Sequence, residues 1–104
     1  MNILQVHSYL VVDFLLREGG PFTLTLAVQM VDRILSDCRS RPEVQGIVLV
    51  NINALPMGFL ILLIGMLASR GAKEVSIQLR EHHDAEAVRV YSYNPARVGE
   101  RHLI

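Results

Sequence analysis

A chain of 104 residues, 51% hydrophobic and 19% charged, holds enough apolar material for one core and too little for two, since each of two would draw on only about 50 residues. Ten basic and ten acidic side chains cancel to a formal charge of zero, so no overall positive field exists to hold duplex DNA and any anion must be gripped locally. A single cysteine, Cys38, excludes an internal disulfide framework and a paired-cysteine metal site; neither a metal nor a cofactor is expected.

The opening MNILQVHSYLVVDF has no basic n-region and no small-residue cleavage site, which predicts a cytoplasmic protein. Residues 1–6 are a short apolar run ending at His7 and Ser8, as in a buried first strand. In residues 9–17, Val11 and Val12 favour a strand while Leu15, Leu16 and Arg17 suit a helix; a strand is the preferred reading. Gly19, Gly20 and Pro21 break the chain. Thr23 or Thr25 can then cap a helix running to about Arg39. Leu26, Met30, Ile34 and Cys38 recur every fourth residue, Val31 and Leu35 widen the stripe, and Asp32, Arg33 and Asp37 fall on or beside the wet side. Residues 40–43 end that helix, and GIVLV at 46–50 is the continuous apolar run of a central strand covered on both faces.

Residues 44–69 carry no charge, a length that could cross a bilayer. Asn51, Asn53 and Pro56 interrupt it, and the unbroken apolar part at 57–68 falls short of the ~20 residues a span requires; no membrane segment is expected. Proline is tolerated in a helix's first turn, so a helix is predicted over 55–69. It is apolar nearly all round and wants two partners, one its own sheet and the other a second copy; a homodimer through this helix is the expectation. Gly71 stops the helix. Residues 74–80 alternate with period two, 81–86 form a polar turn, and 87–93 alternate again before Asn94, Pro95 and a tail bearing Arg97, Arg101 and His102. The order predicts one α/β domain over residues 1–104, with a mainly parallel central sheet flanked by helices, a Rossmann-like architecture.

Ligands of open α/β sheets gather beyond the carboxyl ends of parallel strands, often at a helix N-terminus. That rule selects three loops. His7 and Ser8 follow the first strand and can contact phosphate or ribose. Asn51 to Gly58 (NINALPMG) follows the central strand; its amides head a helix, and Gly58 would let a phosphate approach closely. The spacing is not that of a P-loop, and Asn51 and Asn53 could equally satisfy a turn. Arg80 to Asp84 (REHHD) is the densest polar cluster. His82 or His83 could move a proton near neutral pH and Arg80 could hold a phosphate, although a solvated hairpin turn explains the same residues. Adjacent histidines in an extended chain point to opposite faces.

Three segments, MNILQVHSYL, VDRILSD leading to IVLVNINAL, and LLIGMLASRGAKEVSIQLR, resemble the small CRISPR-associated accessory proteins of type III systems, the group that includes ring nucleases. The resemblance implies a homodimer that binds a cyclic oligoadenylate such as cyclic tetra-adenylate. It implies ring opening by attack of a ribose 2′-hydroxyl on the adjacent phosphorus, without a metal, leaving a 2′,3′-cyclic phosphate. Asn51, Asn53 and the Met57 and Gly58 amides would hold phosphate or base, and His7 and Ser8 would orient the ribose. Arg80 with His82 or His83 would be catalytic. A non-catalytic cyclic-nucleotide sponge is the milder form of the same reading.

GIVLVNINALPMGFLILLIGMLASRGAKEVSIQL also resembles a STAS domain, the fold of anti-sigma factor antagonists, in its strand, loop, helix and glycine-led strand. In that family an aspartate and a phosphorylatable serine usually occupy the loop after the central strand. Here those places hold Asn51, Asn53 and Pro56, so the resemblance implies a protein-interaction module without phosphorylation control.

Overall fold

The computed structural model describes residues 1–15, 21–70, 76–82 and 86, together with the backbone of 88–92 and 102–103. The chain opens with an antiparallel hairpin: β1 (Asn2–Val6) pairs with β2 (Tyr9–Asp13) from Val6 opposite Tyr9 to Asn2 opposite Asp13. Two residues, His7 and Ser8, make the whole connection, and so short a link can only return a strand antiparallel. His7 takes a φ of 54°, the left-handed conformation that the first central position of a two-residue hairpin demands. The turn is tied down on both sides. Gln5 Nε2 donates to the His7 carbonyl and to Glu43 Oε1, each at 2.9 Å, and the Gln45 amide donates to the Ser8 carbonyl at 2.7 Å.

The next elements are α1 (Leu24–Arg39), β3 (Gly46–Val50), α2 (Met57–Arg70), β4 (Ser76–Arg80), β5 (Val88–Ser92) and β6 (His102–Leu103). Thr23 caps α1, its Oγ1 accepting the Leu26 amide at 3.1 Å. Of the apolar stripe predicted for this helix, Met30, Val31, Ile34 and Leu35 are buried, joined by Ala27, while Leu26 and Cys38 are half-buried. The sheet order is β1-β2-β3-β4-β5-β6, with β2, β3 and β4 parallel and the remaining neighbours antiparallel. The protein is therefore a small α/β domain with parallel inner strands, and β3 is inside the sheet with all five residues buried.

Both crossovers, β2 to β3 through α1 and β3 to β4 through α2, step the same way across the sheet. Right-handed crossovers stepping one way place their helices on one face. The core agrees: Leu10, Val12, Ile47, Leu49 and Ile77 form one cluster with buried residues of both α1 and α2, whereas Val48 and Val50 are outside it. The helices form a single layer on one face of the sheet, where the sequence suggested cover on both. Val48 and Val50 are nonetheless 7% and 1% exposed, recessed in the floor of the opposite face.

The second partner of α2 is in part α1. The Arg70 guanidinium meets Asp32 of α1 at 2.8 Å, and the ring of Phe22, just ahead of the α1 cap, meets that of Phe59 edge to face at 4.9 Å. The helix starts at Met57, two residues later than predicted, because Ile52–Ala54 close a 3-10 turn first. Pro56 stands just ahead of it, its carbonyl accepting the Leu60 amide at 3.0 Å. At the far end of β3, a Cβ on Gly46 would lie 2.7 Å from the Tyr9 ring and 2.9 Å from Ser76 Oγ. Only glycine lets the three parallel strands close there.

Candidate functional site

Two regions of the sheet carry the polar side chains singled out in the sequence. The first is the rim at the carboxyl ends of the parallel strands, where Asp13, Val50 and Arg80 stand level in neighbouring strands. Asp13 organises this rim. Its Oδ1 accepts the Leu15 amide and the Asn51 side-chain amide, both at 2.8 Å, so one carboxylate fixes the exits of β2 and β3. Asn51 has a φ of 59°, a conformation that asparagine tolerates better than most residues. Its first role here is that of a turn residue: it starts the 3-10 segment and its side chain is spent on Asp13.

Past it, Asn53, Pro56, Met57 and Gly58 are exposed. A Cβ on Gly58 would meet nothing within 4 Å, so the first turn of α2 is open to solvent. Beyond β4, Glu81 and His82 are exposed, while Arg80 is half-buried with its Nε wholly enclosed. His83 and Asp84 lie outside the described residues, as do Arg97 and Arg101. Among the described strands the order does not reverse at this rim, and such a reversal is the feature that places a binding crevice in open α/β sheets.

His7 and Ser8 are not on this rim. Since β1 runs against β2, their turn sits at the opposite end of the parallel strands, beside Gln45 and Gly46. The β2 strand between the two ends is roughly 13 Å long. The expectation that the His7 loop, the Asn53 loop and the His82 loop converge on one edge is corrected by the hairpin: Asn51, Asn53 and Arg80 share an edge, and His7 and Ser8 do not.

The second region is the sheet face that the helices leave open. A groove of about 650 Å³ crosses it, lined among the described residues by Leu4, Val6, Tyr9, Val11, Val48 and Val50 together with the polar His7, Gln78 and Arg80. It joins His7 to Arg80 across the face, which no reading of the loops predicted. The signal was present in the sequence: Leu4 and Val6 in β1, Val11 in β2 and Val48 and Val50 in β3 put apolar side chains on the face turned away from Leu10, Val12 and Leu49, more than a sheet face wetted by solvent needs. Asp13 was missed as well, although a lone carboxylate closing an apolar strand is a recognisable terminator.

Two groups elsewhere titrate away from their ordinary values. Burial, followed by the neighbouring Asp37 carboxylate, pushes the Cys38 thiol up, so this cysteine is a weak nucleophile. Hydrogen bonds from its own backbone N–H and from the Gln5 side chain hold the Glu43 carboxyl below its ordinary value. Among the described residues no three of His, Cys, Asp and Glu come together to hold a metal ion, and no helix is long and apolar enough to cross a membrane. Set against models of protein families, curated proteins and solved structures, the chain matches none of them.

Proposed function

We propose that the chain is a STAS-like protein-interaction module, and that its partner surface is the loop at 51–56 with the exposed side of α2. The observation that carries this reading is the exposure of Met57 and Ile61, 70% and 62%, one turn apart at the start of that helix. Large apolar side chains bordered by the polar Asn53 loop are the composition of a docking patch rather than of a solvated helix face. The chemistry of the loop supports the same reading. Asn51, Asn53 and Pro56 occupy the places where the resemblance would put an aspartate and a phosphorylatable serine, so binding would be constitutive. The partner class is a regulatory protein with an apolar groove or helix of its own; a second copy of the chain is the competing occupant.

A second reading is favoured by the groove that joins His7 to Arg80. In it the sheet acts as a Rossmann-like binder of cyclic oligoadenylate, holding the ligand on its open face with Tyr9 as a stacking ring. The apolar floor of that groove, with its few cationic groups, suits a polyanion poorly.

A photo-crosslinking residue at Ile61, in cells that make the protein, tests the first reading. A discrete adduct that vanishes with Met57→Glu is the expected result. No adduct, together with micromolar retention of labelled cyclic tetra-adenylate by the purified protein, would transfer the function to the second reading. Linear products resistant to a chelator would then make it a nuclease.

A further inference from the structure

We infer that β1 is a self-pairing edge, and that two copies of the chain join through it into one continuous sheet. This inference is independent of the α2 surface. β1 ends the sheet order, with β2 on one side and no described strand on the other. In a hairpin closed by a two-residue turn the flanking pair is hydrogen-bonded, here Val6 with Tyr9, and such pairs recur at every second residue, Leu4 with Val11 and Asn2 with Asp13. The main-chain groups of Ile3 and Gln5 therefore point away from β2 along the free edge.

Sheet edges are normally guarded by lysine, proline, a bulge or an inward charge. β1, NILQV, has no charge and no proline, and its register with β2 is unbroken over all five residues. The occupant that fits is a second copy. A two-fold axis through Leu4 sets Ile3 opposite Gln5 of the other copy, and Gln5 opposite Ile3. These are the residues whose N–H and C=O groups face outward, so both pairs can exchange two hydrogen bonds. The same axis makes Leu4 face Leu4 as a pair without hydrogen bonds, the class with the closest side-chain approach. Leu4 is 57% exposed on the open face and would be covered there by its twin, extending the apolar wall of the groove across the axis. A formal charge of zero sets no net repulsion between the copies.

Sedimentation of the full chain over a concentration series should show a species of twice the chain's mass. Leu4→Lys sets two ammonium groups against each other at the axis and should weaken the dimer by at least about tenfold, with an unchanged far-ultraviolet circular dichroism spectrum. In a Cys38→Ala background, Leu4→Cys should cross-link into a disulfide dimer under mild oxidation, and Ile61→Cys should not. A monomer at every concentration, a dimer indifferent to Leu4→Lys, or cross-linking at Ile61 in place of Leu4 would each overturn the inference.

Discussion

Asn51 carries two duties that substitution can separate. It occupies left-handed backbone space and donates to Asp13. Asn51→Gly loses the hydrogen bond and keeps the turn at no steric cost, whereas Asn51→Ala loses the bond and also strains the backbone. Urea unfolding should show Asn51→Ala less stable than Asn51→Gly by about 1 kcal/mol; equal midpoints would mean that the turn relaxes without strain. The residue shows how far single positions were readable. A turn role for Asn51 was one of the two alternatives the sequence left open, but its partner lies 38 residues away in a strand whose length was itself ambiguous. His7 was harder still. A histidine with positive φ stands where glycine or asparagine would have announced a hairpin, and without that cue its loop was assigned to the wrong end of the sheet.

Among the elements, α2 tests how apolar residues divide between packing and docking. Leu63 is fully buried and Ile61 is mostly exposed, although composition makes the two alike. Leu63→Ala should cost about 2–5 kcal/mol in chemical denaturation, while Ile61→Glu should stay within about 0.5 kcal/mol and act on partner binding alone. An equal loss at both positions would mean that Ile61 is packed in solution. The periodicity of α1 disclosed its buried face because polar residues mark the other side. In α2 no such contrast exists, so the sequence revealed a helix and concealed its orientation. Strands β1 to β5 were legible from their apolar runs, but β1, expected to be buried, is an edge with Leu4 and Val6 exposed, and β6 falls in what read as a basic tail. The direction of β1 was not legible, although the two-residue gap between its run and the next already required a reversal.

For the whole molecule, the hairpin and the loop before β3 are held together by Gln5 and Glu43. Because folding lowers the Glu43 pKa below its ordinary 4.5, the ionised form favours the folded state. This contribution is fully present above that value and is lost as pH falls through the lower folded one. Gln5→Ala removes one of the two hydrogen bonds responsible and should flatten the loss of stability between pH 7 and the acid limb, followed by urea midpoints. An unaltered pH profile would assign the effect to the Glu43 backbone alone. Of the architecture, the α/β class and the parallel inner strands were visible in the order of elements. The one-sided helix layer was not, because handedness and strand order act together and neither is written in local pattern.

Strand order in this sheet equals chain order. No strand must be inserted between two that are already paired, so every pairing closes a modest loop and none waits on a distant segment. During synthesis, each newly emerged strand can dock on its predecessor, so assembly can proceed vectorially from the N-terminal hairpin, with the ribosome's delivery sequence as its template.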